Sequence, residues 1–296
     1  MTTTINSLKS YKTPLRYPGG KSRACKKMEP YIPDLRDYEV YYEPFLGGGS
    51  VALHITKKYP KLKIVVNDLY EPLYNFWIHL QLAGDVMQDK LVKIKKDNPN
   101  PDEAKELFLE SKDILSNGTD LDRAVAFYVI NKCSFSGLTE SSSFSSQASD
   151  SNFSMRGIEK LTEYFKLIKN WKITCADYAD LVEDCLGHGE ILCDDNTFIY
   201  VDPPYNIKDN LYGYKGKLHK GFDHSRFADV MDDTMGNVMI SYNNHPDIVQ
   251  RFLEWRQYDF AHTYKMRSTG TYMLDQTKRR ELICLNYGKF RSESIT

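Results

Sequence analysis

The run Thr197-Phe198-Ile199-Tyr200-Val201-Asp202-Pro203-Pro204-Tyr205 decides how the chain is read. Its β-prone, apolar first half predicts a buried parallel strand. Two successive prolines cannot continue a ladder, so the strand stops at Asp202. A carboxylate, stiff backbone carbonyls and an aromatic ring are thereby left at a strand's C-terminal edge, where open α/β sheets bind ligands.

Such a corner suits one kind of chemistry. An exocyclic amine on a nucleobase is a poor nucleophile because its lone pair is delocalised into the ring. A carboxylate and a carbonyl accepting its two N–H bonds would draw the nitrogen towards tetrahedral geometry and aim the lone pair. Tyr205 would stack on the ring. The bland alternative is a strand end with a rigid proline turn.

Upstream, Val40-Tyr41-Tyr42-Glu43-Pro44-Phe45-Leu46-Gly47-Gly48-Gly49-Ser50 reads as a strand ending near Glu43, a glycine-rich turn and a helix from Ser50. Glycines let a ligand approach the backbone, and a helix N-terminus favours an anionic group. A second strand, 63–67, ends at Asp68, an acid well placed for ribose hydroxyls. Taken alone, Gly47-x-Gly49-x-x-Ala52 with an acid about 20 residues on is also an acceptable dinucleotide fingerprint. Two further strand ends carry acids, Asp177 after 171–176 and Asp202 itself. Beyond Asp202 the sequence predicts a Gly-, Lys- and Tyr-rich loop over 206–222, an N-cap at Asp223 and a helix to Met235. A strand over 237–242, a helix over 246–255 and a last strand over 281–287 complete the series.

Residues 9–27 are basic without an acid: Lys9, Lys12, Arg16, Lys21, Arg23, Lys26 and Lys27. They read either as a solvated face or as a phosphate-facing patch. Gly20-Lys21-Ser22 invites a P-loop assignment, but such a loop needs a glycine where Leu15 stands. From Glu71 to Asn131 apolar residues recur at helical spacing over 72–82, 86–95, 101–115 and 121–131. Tyr74, Phe76, Trp77, Phe127 and Tyr128 are expected in its core. Residues 132–156, serine-rich with phenylalanines at intervals, read as a mobile loop or hairpin, and 157–170 as helical again. The sheet segments thus fall before 70 and after 171. A helical insert of that length is too long for a strand–helix connection and is expected to be a second domain.

Composition excludes several classes. A formal net charge of −1 rules out a globally basic nucleic-acid binder and leaves local patches. No apolar run is long enough to span a membrane, and residues 1–10 lack the core of a secretory leader. Neither the six cysteines nor the seven histidines show metal-ligand spacing, so no metal is expected.

The order of these signals resembles the Dam (D12, α-class) family of DNA adenine-N6 methyltransferases over nearly the whole chain. A Gly-Gly-Lys turn is followed by the glycine-rich loop, the helical insert, an acid–aromatic strand end and Asp-Pro-Pro-Tyr. The resemblance implies a Rossmann-like S-adenosylmethionine-dependent methyltransferase fold. Its catalytic domain would span 1–70 and 171–296, with an inserted target-recognition domain over 71–170 and a DNA-reading hairpin within 132–156. It further implies that Tyr17 and Lys21 flank S-adenosylmethionine, that Glu43, Pro44, Phe45, Gly47 and Gly49 support its methionine part, that Asp68 holds the ribose, and that Asp177 and Tyr178 hold its adenine. Asp202, Pro203, Pro204 and Tyr205 would bind an adenine turned out of double-stranded DNA. Lys9, Arg16, Asn131, Lys132, Ser136, Gly137, Leu138 and Glu140 would face the DNA. Glu140 stands where GATC-methylating members carry an arginine, and a carboxylate does not read guanine O6 and N7; adenine methylation is therefore expected, and GATC is not secured. A monomer or weak dimer in the cytoplasm of a bacterial or phage-infected cell is expected.

Three alternatives remain at this point. A nicotinamide-dependent oxidoreductase would use the Gly47–Asp68 unit but leaves Asp202–Tyr205 idle. A methyltransferase acting on cytosine N4 or RNA would use the same corner. A DNA-binding protein that has lost catalysis would have no need of the cofactor acids.

Overall fold

Residues 12–17, 19–137, 142–183, 195–205, 221–261 and 280–288 are described by a computed structural model. Their strands form a single seven-stranded sheet in the order β3-β2-β1-β4-β5-β7-β6. Five strands run parallel: β1 (Val40–Glu43), β2 (Lys63–Asn67), β3 (Lys172–Thr174), β4 (Thr197–Val201) and β5 (Asn237–Asn243). β7 (Arg280–Leu285) lies antiparallel between β5 and β6 (Arg256–Ala261). The reading from Asp202 holds: β4 is buried along its whole length and stops one residue before that acid.

Alternate side chains of each strand face opposite layers. Tyr41, Phe198, Tyr200, Met239 and Ile283 share one apolar cluster, and Tyr42, Ile199, Val201, Ile240 and Cys284 share the other. On the second side the sheet is covered by α10 (Tyr178–Glu183), α11 (His224–Asp232) and α12 (Pro246–Arg251), through Ala179, Phe227, Met231 and Ile248.

The first side receives the helices between β2 and β3 together with α1 (Cys25–Met28) and α2 (Ser50–Lys58). These are α3 (Glu71–Leu82), α4 (Gly84–Asp97), α5 (Pro101–Asn117), α6 (Asp120–Cys133), α7 (Ser146–Asn152), α8 (Met155–Glu159) and α9 (Leu161–Leu167). Helical periodicity is the cause: α3 buries Leu73, Phe76, Trp77 and Leu80 at three- and four-residue spacing. Phe76, Trp77, Phe127 and Tyr128 are core residues as expected, while Tyr74 is partly exposed. Starts are specified locally. Asn100 and Glu103 form a reciprocal capping box with Pro101 at the first helical position, and Asp223 caps α11 through the N–H groups of Ser225 and Arg226.

Four expectations are corrected. The serine-rich stretch within 132–156 is not an extended loop: past a short turn at Phe135–Gly137 it folds into α7 and α8, with Ser145 and Ser154 as N-caps. Serine accepts a helix's first N–H groups as readily as it decorates a loop. A single bridge, Ser134 to Phe144, is what remains of the hairpin among the described residues. The strand after Trp171 is three residues long, and Tyr178 already opens α10. The helix from Pro246 ends at Arg251, and the chain then forms edge strand β6. Finally, Lys21 belongs neither to a solvated face nor to a phosphate-facing surface, because it is only 3% exposed. Lys9, Leu138, Glu140 and the loop 206–220 lie outside the described residues.

Candidate active site

Four parallel strands end on one side of the sheet, and their C-terminal residues build a cleft of about 250 Å³. β1 delivers Glu43, β2 delivers Asp68, β3 leads to Asp177 and β4 to Asp202. All ten residues expected around the cofactor line this cleft, from Tyr17 and Lys21 through Glu43–Gly49 and Asp68 to Asp177 and Tyr178. Asp202 and Pro204 line it as well.

The glycine turn is shaped by close contact. Gly49 adopts φ 68°, and a Cβ there would stand 2.7 Å from Trp77 Cζ2. Trp77 is fully buried and donates its indole N–H to Gly47 O at 3.1 Å. Tyr17 lies flat against the turn, its ring 3.0 Å from where a Cβ on Gly47 would sit. Left-handed backbone and lack of room together restrict these positions to glycine.

Asp68 closes the same turn. One carboxylate oxygen accepts Gly47 N–H at 2.8 Å and the other Tyr70 N–H at 3.0 Å. Burial nevertheless pushes its carboxyl up to about 6, with the two N–H bonds working the other way. Beside it, Asn67 ties three strand ends together, a role the sequence did not announce. Its amide nitrogen donates to Pro44 O and Ala176 O, both at 3.0 Å, and its oxygen accepts Ala176 N–H at 3.0 Å. A buried asparagine at a strand end is the signal that was available. Glu43 accepts the Tyr41 hydroxyl at 2.5 Å, and burial holds its carboxyl well above the usual range.

Part of the cleft wall is aromatic. Phe45, Tyr178 and Phe222 pack with ring centroids 5.2 to 5.8 Å apart. Arg226 of α11 also missed by sequence reading, lies 5.6 Å over the Tyr178 ring and pairs with Asp177 at 3.2 Å.

A second group is ionic. Lys21 does not point along the glycine turn but reaches Asp202, its Nζ donating to Oδ1 at 2.9 Å and to the Tyr205 hydroxyl at 2.5 Å. The Tyr205 hydroxyl donates in turn to Glu281 Oε2 at 2.7 Å. Burial alone would lower the Lys21 ammonium, but Asp202 and Glu281 outweigh it and hold the group protonated. For Asp202 burial raises the carboxyl and Lys21 opposes that shift. The Tyr205 ring stacks on Tyr242, centroids 5.7 Å apart and planes at 23°. Tyr242, hydrogen-bonded to His224, donates to Pro204 O at 3.3 Å, so the proline turn is pinned from behind.

The residues expected at the DNA divide. Asn131 is 0% exposed. Its oxygen accepts Arg16 N–H at 2.9 Å, and its nitrogen donates to Arg16 O at 2.7 Å and Gly137 O at 2.8 Å. It therefore holds two backbone segments together and has no group left to offer a base. Gly137, at φ 75°, packs directly on the Arg16 backbone. Arg16 is half-buried and donates to Ser134 O at 2.8 Å. Burial, with Arg16 nearby, pulls the Lys132 ammonium down to about 8. Ser136 lies in the short turn between Phe135 and Gly137.

No group of three or more His, Cys, Asp or Glu residues suited to a metal is found among the described residues, and no described helix is long and apolar enough to cross a membrane.

The family model for D12 class N6 adenine-specific DNA methyltransferases matches residues 17–269. The chain is 28% identical to the type II methyltransferase M.MjaIII of Methanocaldococcus jannaschii, over 81% of its own length and 87% of that protein. It is 22% identical to the type II methyltransferase M1.LlaDCHI of Lactococcus lactis subsp. cremoris, covering 96% of this chain and all of that one. A DNA N-6-adenine-methyltransferase of Escherichia phage P1 is 25% identical over 79% of this chain, which spans 30% of the phage protein.

Proposed function

Because the chain belongs to the family of D12 class N6 adenine-specific DNA methyltransferases, we infer that its cleft binds S-adenosylmethionine and that Asp202, Pro203, Pro204 and Tyr205 receive a single adenine turned out of duplex DNA. The activity, methylation of adenine N6 in DNA, is that of the family. The observation that supports the residue assignments is that Asp202 and Pro204 line the same cleft as the ten residues expected around the cofactor, Asp202 held there by Lys21.

The donor set fits the cofactor. Asp68 keeps lone pairs for ribose hydroxyls beside its two backbone bonds, and the Phe45–Tyr178 pair offers a flat apolar surface for a purine. When bound, S-adenosylmethionine supplies an electrophilic methyl group on a positively charged sulfur. The remaining work falls to the protein. Asp202 Oδ and a backbone carbonyl of the proline turn accept the two amine hydrogens, which aims the nitrogen's lone pair. Tyr205, backed by Tyr242, fixes the base plane. No base needs to remove a proton beforehand, because the nitrogen becomes acidic only after it gains a fourth substituent. Alignment of two bound reactants supplies most of the acceleration. Residues 71–170 act as the target-recognition domain, with the 132–156 segment and the basic N-terminal stretch against the DNA.

Sequencing that detects N6-methyladenine, applied to DNA from a methylation-free host expressing this chain, is expected to show one modified motif. Folded protein that binds S-adenosylmethionine but leaves every adenine unmodified would overturn the reading and direct attention to cytosine N4 or RNA.

Two further outcomes follow from the site. Burial pushes the Asp68 carboxyl up to about 6, and ribose hydroxyls donate more strongly to its ionised form. Cofactor affinity is therefore flat above neutrality and weakens as pH falls below 6, by at most about tenfold per unit; calorimetry at pH 5 to 8 measures this, and a flat profile removes Asp68 from the ribose. DNA affinity falls steeply with salt in spite of the neutral net charge, with a log–log slope of about −4 or steeper. A slope near zero in a salt titration would leave the basic residues of 9–27 other than Lys21 without a role at the DNA.

A further inference from the structure

Glu281 lies outside every motif that pointed to the site. It is 1% exposed on β7, where the ladder sets it opposite Asn243 of β5 and Phe260 of β6. Its Oε2 accepts the Tyr205 hydroxyl at 2.7 Å and the Ser241 hydroxyl at 3.1 Å, and stands 3.9 Å from Lys21 Nζ. A carboxylate buried in the middle of a sheet is costly unless it is paired, and two of its partners here, Lys21 and Tyr205, are also those of Asp202.

The charge count gives this arrangement its meaning. Lys21 alone would neutralise Asp202, and a buried ammonium beside the acceptor would oppose a nitrogen that gains positive charge as it gains a methyl group. When both are ionised, two carboxylates around one ammonium leave one net negative charge in a cluster that is buried except at Asp202, which is 21% exposed, and there it favours that nitrogen more than it would in water. Glu281 also fixes the rotation of the Tyr205 hydroxyl, and so the lysine bonded to it.

We propose that Glu281 is a positioning residue that, by pairing with Lys21 and Tyr205, leaves Asp202 an anionic acceptor for the amine being methylated. The proposal rests on the assignment of Asp202 to the target adenine.

The test uses the full chain, labelled S-adenosylmethionine and duplex DNA carrying the motif found by sequencing. Glu281→Gln keeps the acceptor for Tyr205 and Ser241 and removes the charge. It lowers kcat by about 30-fold or more, with the KM for DNA and the Kd for S-adenosylmethionine within about threefold of the parent. In a Lys21→Met background the same substitution costs about threefold or less, because there is no ammonium left to offset. A kcat within threefold of the parent overturns the proposal, as does an equal loss in both backgrounds or a matching loss of cofactor binding. If Glu281→Gln does not fold, the double variant against Lys21→Met decides: equal rates support the proposal, and a tenfold lower rate overturns it. Asp202→Ala measured alongside separates the two readings. Full activity there removes the role of Asp202, whereas an inactive Asp202→Ala beside an active Glu281→Gln removes only that of Glu281.

Discussion

Asp202→Ala is expected to lower methyl transfer by about 10³-fold and to change the S-adenosylmethionine Kd by less than about threefold. The split follows from where Asp202 stands. It is the first residue past β4 and is bonded to Lys21, whereas Phe45 and Tyr178 pack on each other with Phe222. Its removal takes away one of the two acceptors that aim the amine, and the adenine-binding and ribose-binding groups stay where they are. Lys21 keeps Glu281 as a counter-ion at 3.9 Å, so the ammonium is not stranded and the fold survives. Asp202→Asn, which keeps the volume and turns an acceptor into an amide, is expected to lose nearly as much. Rates with labelled cofactor and calorimetry on the same preparations measure the two quantities separately. Equal loss of transfer and of cofactor binding would move Asp202 from the base to the cofactor.

Asn131→Ala is expected to cost about 3 kcal/mol of stability, since three backbone groups, one buried and two part-buried, lose their partner at once and each is worth about 1 kcal/mol. The groups are Arg16 N–H, Arg16 O and Gly137 O. They belong to two segments with different tasks. Residues 13–21 carry Tyr17 to the glycine turn and Lys21 to Asp202, while the turn at 135–137 opens the segment assigned to DNA reading. The variant should therefore lose DNA affinity by at least about tenfold and lose cofactor affinity less, since Asp68 and the aromatic wall are untouched. Urea denaturation gives the first quantity, and titration with DNA and with S-adenosylmethionine gives the other two. Wild-type stability with lost DNA binding would instead make Asn131 a direct contact, against its complete burial.

The parallel strands and the cleft acids were legible because burial on both faces writes apolar runs, and because each run stops at a residue that cannot continue it. Asp202, Asp68 and Glu43 were found in this way. The helices of 71–131 were legible from their period. What could not be read was any pairing across distance. Lys21 and Asp202 are 181 residues apart, and nothing local to Gly20-Lys21-Ser22 says that its ammonium turns inward. Glu281 sits in a run that reads as an ordinary last strand. Strand β6 was not read at all, because Arg256-Gln257-Tyr258-Asp259-Phe260 has the polar face of an edge strand and no apolar block to mark it. The serine-rich stretch misled for a chemical reason, since composition does not distinguish a serine in a loop from one that caps a helix.

The place of β7 has a consequence for how the enzyme comes into being. A ribosome releases β5 and β6 before the strand that belongs between them, so both wait with unpaired edges until residues 280–285 emerge. That last strand brings Glu281 with it. Cleft and proline turn are already encoded upstream, yet the charge balance around Lys21 is completed only when the final strand slides into the sheet.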